Sequence, residues 1–188
     1  GIASRFNPDK GHETFFDASA MILKDLPELS GRVRLLVAGG AVFEEDRTRE
    51  QYVREYAARR GLGGNTVFTG VVGDMPGIYA AMDLLVLSSW AEPCGRVIFE
   101  AMSSGRPVVG TDSGGTPEII EDGSSGLLFR PKDASALAAA LKGLVLDDRR
   151  RLSMGQSARK RIEENFTIQI NVKKTEEIYA EALGRGKK

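Results

Sequence analysis

Short apolar runs alternate with longer amphipathic stretches along most of this chain. The run 84–87 carries no charge and is too short for a helix, so it predicts a strand buried on both faces. Pro93, in the turn that follows, cannot continue a central strand. Five other short apolar runs predict strands at 2–3, 33–38, 66–70, 108–109 and 126–129.

The stretches between these runs place apolar residues at helical spacing. From Gly95 onward, for example, Val97, Ile98, Ala101 and Met102 share one face of a predicted helix. Other helices are predicted around 12–23, 44–60, 74–81, 116–123, 133–145, 147–162 and 168–183. This alternation predicts an α/β fold, a doubly wound, Rossmann-like parallel sheet of about six strands flanked by helices, with its ligand outside the carboxyl ends of the strands.

Some side chains in these helices have specific expected positions. Tyr52 and Leu152 lie on the predicted inner faces of their helices, and Thr116 is the expected N-cap of the helix that contains Pro117. His12, the only histidine, is interpreted as a surface or capping residue rather than a catalytic one. Residues 184–188 are expected to be a frayed tail.

Composition limits the possible functions. The 188 residues suffice for one core and contain no repeat or linker, so 1–188 are predicted to form a single domain. Twenty-six basic and 26 acidic residues balance, which argues against nucleic acid or an anionic membrane as a partner. The single Cys94 excludes an intrachain disulfide and favours a reducing compartment, the cytoplasm. The opening 1–3 looks like the middle of a strand, which suggests an excised domain.

Two acids lie in the strand–loop–helix unit that follows run 84–87. Glu92 precedes the predicted helix and Glu100 lies just over one turn into it. The helix N-terminus suits an anionic phosphate, and carboxylates accept hydrogen bonds from hydroxyls, so the unit suits a phosphorylated sugar. A second glycine-rich turn, 112–117, also enters a helix. The alternative is that Glu92 and Glu100 are ordinary solvated acids.

Two cations flank the first strand-to-helix loop. Arg5 and Lys10 lie in residues 4–11, where the carboxyl edge of a parallel sheet would let them neutralise a diphosphate. As surface cations they would need no such role.

At this point the sequence resembles the donor-binding half of the retaining glycosyltransferases of family four, which have the two-domain GT-B fold. The resemblance rests on E-x7-E in EPCGRVIFEAM, then GRPVVGTDSGGTPEIIEDG and GLLFRP, and it runs from about Arg5 to Tyr179. It implies that Glu92 contacts hydroxyls of the donor sugar and that Glu100 contacts the ribose. Backbone around Gly95, Arg96 and Val97 would cradle sugar and phosphate.

The resemblance assigns further residues of the donor site. The family motif G-R-x-x-x-x-K-G places Arg5 and Lys10 at the diphosphate, although this chain has Ser4 where the motif has glycine. Gly39 and Gly40 would lie near the nucleotide; they do not complete a dinucleotide fingerprint. Other donor-binding positions implied by the resemblance are Val71 and Val72 at the nucleobase, and Cys94, Gly114 and Gly115 in the glycine-rich turns.

The expected function is binding of a UDP-, GDP- or ADP-sugar and, with an N-terminal acceptor domain absent from this chain, glycosyl transfer with retention. Glu92, Arg5 and Lys10 would be the catalytic residues, and this fragment alone would be inactive. No metal or cofactor is expected, since cations and helix dipoles can supply the charge and no Asp-x-Asp triplet is present. In relatives the missing domain often associates with the inner membrane face. A GT-B epimerase, a non-catalytic sugar-nucleotide module and a dinucleotide-dependent redox domain are the alternatives.

Overall fold

The structure is a computed structural model that describes residues 1–41 and 44–184, without the side chain of Glu45. The predicted frayed tail beyond Gly184 lies outside the described residues. The strands are β1 (Ile2–Ala3), β2 (Leu35–Ala38), β3 (Thr66–Gly70), β4 (Leu85–Leu87), β5 (Val108–Thr111) and β6 (Gly126–Phe129). Each of the six predicted strands is therefore present, and β2 begins two residues later than predicted.

Each predicted helix is present. The helices are α1 (His12–Asp25), α2 (Glu44–Arg59), α3 (Met75–Ala81), α4 (Arg96–Ser103), α5 (Thr116–Ile119), α6 (Ala134–Val145), α7 (Asp148–Asn165) and α8 (Ile168–Ala182). The prediction for α5 ran to 123, but the helix ends at Ile119 because the backbone of Ile120 is already extended. Asp74, Asp133 and Asp147 cap α3, α6 and α7, each accepting a backbone N–H from the first turn.

All strand pairs within the sheets are parallel. They form two three-stranded sheets, β1-β2-β3 and β4-β5-β6, rather than one ladder. Gly1 joins the two sheets, because its amino group donates to the Leu84 carbonyl at 2.8 Å and its carbonyl accepts from the Val86 N–H at 2.7 Å. Only a short junction forms here because β1 has two residues, and the strand order across it is 3-2-1-4-5-6.

Helices cover both faces of this arrangement. Val86 of β4 packs into a core with residues of α1, α2 and α6, whereas Leu85 and Leu87 pack into a second core with residues of α3, α4 and α7. The predicted burial of β4 on both faces is confirmed, and with it the doubly wound α/β class.

Three helical side chains differ from the prediction. Tyr52 is 38% exposed and stacks under the Arg49 guanidinium, 4.7 Å from the ring centroid, because its position on α2 lies at the rim of the core. Leu152 is 61% exposed on α7. Thr116 is not an N-cap: α5 begins at Thr116 itself, Gly115 occupies the cap position, and the threonine side chain is buried.

His12 is not a surface residue. It is fully buried, its ring stacks on Phe6 with centroids 5.0 Å apart, and its Nε2 lies 3.1 Å from the Ser4 hydroxyl. Burial, with help from the positive charges of Arg49 and Lys10, lowers the pKa of His12 from 6.5 to about 3. The imidazole is therefore neutral and part of the core beneath the β1–α1 loop.

The last helix lies apart from both cores. None of the residues of α8 is buried, and the apolar side chains of Ile178 and Tyr179 are more than 60% exposed. A search of the described helices finds none with the length and apolarity needed to cross a bilayer.

Two helical glycines provide a matched test of packing. A Cβ on Gly155 of α7 would lie 2.2 Å from the Gly105 carbonyl oxygen, whereas a Cβ on Gly143 of α6 would come no closer than 3.3 Å, to the end of the Arg150 side chain. We expect Gly155→Ala to lower the free energy of unfolding by about 2 kcal/mol. Gly143→Ala should raise it by up to ~1 kcal/mol because alanine favours helix. Urea unfolding checks both, and equal effects would contradict the close approach of α7 to the α4–β5 turn.

The burial of His12 predicts a pH dependence of stability. The unfolded chain binds a proton at His12 below about pH 6.5 and the folded chain only below about pH 3. Stability from this group is therefore full above pH 6.5 and falls as the pH drops towards 3. Between pH 6 and 5 we expect wild type to lose roughly 1 kcal/mol more than His12→Asn, in urea unfolding at each pH. Parallel pH dependences would show that His12 is accessible to protons in the folded state.

Candidate functional site

A cleft of about 290 Å³ opens where β1, β2 and β3 end and α4 begins. The described residues that line it include most of the predicted nucleotide-binding set. These are Arg5, Gly39, Gly40, Val71, Val72, Arg96, Val97 and Glu100, together with Ala3, Ser4, Ala38 and Met75, which were not predicted as binding residues. The structure thus brings together residues from four separate segments that are up to 97 positions apart in the chain.

The start of α4 gives the cleft an anion-binding character. Gly95 is the cap residue and makes no side-chain hydrogen bond to the first turn of α4, so among the described residues the N–H groups of Arg96 and Val97 remain available to a ligand, whereas that of Ile98 donates to the Gly95 carbonyl at 2.8 Å. Arg96 and Val97, the first helical residues, line the cleft, and Glu100 follows one turn later. A phosphate at the helix start and a hydroxyl at Glu100 can therefore belong to the same ligand.

The cations of the β1–α1 loop have different surroundings. Lys10 donates to Glu92 Oε2 at 2.8 Å in an ion pair whose side chains are 18% and 15% exposed, and the Ser89 hydroxyl lies 3.4 Å from the same oxygen. Arg5 is exposed and lines the cleft, and its guanidinium makes no hydrogen bond or ion pair with the described residues. Arg5 is thus free to bind an anion, whereas Lys10 is already committed to Glu92.

Glycines let the loops of the site touch through their backbones. Gly39, at φ 137°, leaves no room for a Cβ because that atom would lie 1.9 Å from the Ser4 carbonyl oxygen. Gly114 meets the Glu92 carbonyl oxygen in the same way at 2.4 Å, and the Gly115 N–H donates to that oxygen at 2.9 Å. The predicted binding residues Gly114 and Gly115 therefore support the Glu92 loop; direct contact of these two glycines with a ligand stays a prediction.

Sequence reasoning missed one contact of the site. The hydroxyl of Tyr79, a buried residue of α3, donates to Glu100 Oε2 at 2.6 Å. The helical pattern over 74–81 does not indicate which acceptor this hydroxyl has. A buried tyrosine hydroxyl needs an acceptor, which is the signal that could have prompted the search for one.

The arrangement is suited to a ligand with three chemical parts. An unpaired guanidinium and a helix start suit phosphate, the carboxylate of Glu100 suits hydroxyls, and the exposed Val71 with Val72 offers an apolar wall for a flat ring. Glu92 and Lys10 are not among the residues that line this cleft. Cys94 is exposed in the loop before α4. Among residues 1–41 and 44–184, no group of three or more His, Cys, Asp or Glu side chains could hold a metal ion.

Comparison with known proteins agrees with this description. The family model described as "Glycosyl transferases group 1" matches residues 1–147. The D-inositol 3-phosphate glycosyltransferase of Corynebacterium aurimucosum is 32% identical over 97% of this chain and 42% of its own length. The chain thus spans less than half the length of this curated relative.

Solved structures show the same relationship. A crystal structure of Anabaena Alr3699/HepE, in complex with UDP and glucose, superposes with a TM-score of 0.85 at 30% identity, over 96% of this chain and 47% of HepE. The C-terminal domain of the group 1 family glycosyl transferase LpcC from Francisella tularensis superposes with a TM-score of 0.79 at 29% identity, over 90% of this chain and 86% of that domain. The chain therefore belongs to the group 1 family of glycosyl transferases and corresponds to the C-terminal portion of its GT-B relatives.

Proposed function

We propose that this chain binds a nucleoside diphosphate sugar and, together with an N-terminal acceptor domain, transfers the glycosyl group with retention of configuration. The observation that carries the proposal is the meeting of Arg5, Glu100 and the uncapped start of α4 around one cleft. The HepE structures with UDP and with UDP-glucose favour UDP as the nucleotide, with GDP and ADP as the other candidates. Retention is proposed from the E-x7-E motif.

The cations would act on the departing nucleoside diphosphate. Negative charge grows on its phosphate oxygens as the glycosidic bond breaks, and groups already oriented towards that charge stabilise the transition state. Arg5 and the N–H groups at the start of α4 can bind these oxygens directly. In this proposal they carry out the charge stabilisation without a bound metal, so nucleotide binding should persist in EDTA.

Glu92 would hold the sugar. Its Oε2 is bound to Lys10, and the opposing loop fixes its backbone through Gly115, so the remaining acceptor sites of the carboxylate have a defined direction. Fixed acceptors orient the sugar so that its anomeric carbon faces the acceptor. Lys10 would then lie between Glu92 and the diphosphate and interact with both. The chain by itself would transfer little sugar, because the facing wall that excludes water is missing.

The class of ligand is tested by calorimetry on the chain. We expect at least one of UDP, GDP and ADP, or one of their glucose esters, to bind ~10-fold or more tightly than NAD⁺. The reason is that the cleft offers a diphosphate and ribose site without a dinucleotide fingerprint. Binding of NAD⁺ alone would overturn the proposal, and so would binding of none of these nucleotides.

The unpaired cation gives a second prediction. Arg5→Met should weaken binding of the preferred nucleoside diphosphate by about 10-fold or more, because a charge-assisted hydrogen bond to phosphate is lost. Binding of the corresponding nucleoside should not change. Arg159→Met is the control, since Arg159 is exposed on α7 and pairs with Glu163, at 2.8 Å. Equal effects of Arg5→Met on nucleoside and nucleotide would show that Arg5 does not contact phosphate.

A further inference from the structure

Tyr79 connects a buried helix to an exposed acid of the cleft. The tyrosine is 1% exposed, and its hydroxyl donates at 2.6 Å to Oε2 of Glu100, a residue that is itself exposed. An exposed glutamate on a helix surface ordinarily samples several rotamers, because nothing holds its carboxylate. Here the hydroxyl of Tyr79, whose ring is fixed in the core, binds one of the two carboxylate oxygens of Glu100.

The position of Tyr79 on α3 adds a second observation. Met75 lines the cleft at the start of α3, three positions after Val72, and Tyr79 follows one turn later on the same face of the helix. One short helix therefore both lines the cleft and binds the acid that α4 contributes to it. Any shift of α3 against α4 would change the distance between Met75 and the Glu100 carboxylate.

We propose that Tyr79 is a positioning residue that presets the Glu100 carboxylate for the ribose hydroxyls of the nucleotide. This inference rests on the proposed function, in which Glu100 contacts the ribose. With Oε2 bound to Tyr79, Oε1 and the free lone pairs accept from the ribose diol. Folding already fixes the side chain of Glu100, so nucleotide binding does not include the entropy cost of ordering it.

The electrostatics of the pair are consistent with this role. Burial, and then the hydrogen bond and negative charge of Glu100, raise the pKa of Tyr79 above its usual value. The phenol therefore keeps its proton and remains a donor throughout the working pH range. Tyr79 therefore always donates to Oε2 of Glu100, and Oε1 of the same carboxylate remains available to the ligand.

A buried hydroxyl needs a hydrogen-bond partner, but this need does not explain why the partner of Tyr79 is a residue of the cleft. Tyr56 of α2, which is half-buried, likewise donates to a carboxylate, that of Asp17, at 2.8 Å, and its hydroxyl also accepts from Arg60. Neither Tyr56 nor Asp17 lines the cleft. Tyr56→Phe is therefore the matched control for losing a tyrosine–carboxylate hydrogen bond.

The test is calorimetry on the full chain with UDP, GDP or ADP, whichever binds most tightly, and with its 2′,3′-dideoxy analogue. Tyr79→Phe should weaken binding of the nucleotide by about 3- to 10-fold and leave binding of the analogue unchanged, because only the diol uses Glu100. In a Glu100→Ala background the same substitution should have no effect, which is the mark of action through Glu100. Tyr56→Phe should change neither affinity.

Other results overturn the inference in distinguishable ways. If Glu100→Ala leaves nucleotide affinity unchanged, the ribose role of Glu100 fails and the positioning role fails with it. If Glu100→Ala weakens binding but Tyr79→Phe does not, or weakens both ligands equally, only the positioning role fails. Should Tyr79→Phe not fold, Glu100→Asp replaces it: the shorter side chain keeps the charge but withdraws it from Tyr79, and it should also lose 3- to 10-fold in affinity for the nucleotide alone. Unaltered binding by Glu100→Asp would again overturn the role of Tyr79.

Discussion

Direct backbone contact between loops is the constraint on which the site depends. Gly11, Gly39 and Gly114 all have positive φ, and a Cβ on each would lie 1.9 to 2.4 Å from a carbonyl oxygen of another loop. Any other residue would hold these loops apart. Each contact joins two different strand-to-helix connections. The loops that carry Arg5, Lys10 and Glu92 are therefore fixed relative to one another by close packing of their backbones rather than by flexible side chains.

The charges are arranged on this rigid frame in two ways. Lys10 and Glu92 are mostly buried and neutralise each other, and such a pair contributes more to geometry than to stability, because removing two charges from water is costly. Arg5 is exposed and unpaired among the described residues, so it retains its attraction for anions. One cation therefore orients a carboxylate while the other remains available, although the sequence presents them as equivalent members of a single loop.

Periodicity was sufficient for the fold, whereas most of the residues that meet at the cleft were named from the resemblance to a family. Run 84–87 is easily recognised as a strand because burial on both faces excludes charged residues from it. The capping aspartates are also recognisable from the sequence, because each bonds a backbone N–H only three positions away. His12 and Thr116 were assigned wrongly because their burial depends on what packs over them from elsewhere in the chain, such as Phe6. The Tyr79–Glu100 hydrogen bond joins two helices across 21 positions, and no local pattern encodes such a contact.

Because α8 lies apart from both cores, it is expected to unfold before they do. A helix of 15 residues that buries none of them gains little from tertiary packing, and at that length a helix in water is only marginally stable by itself. Its amide hydrogens will exchange with deuterium through local fraying, while those of β4 and α4 will wait for global unfolding. Melting followed by circular dichroism will therefore begin with a shallow, non-cooperative loss of helical signal before the cooperative transition of the two cores.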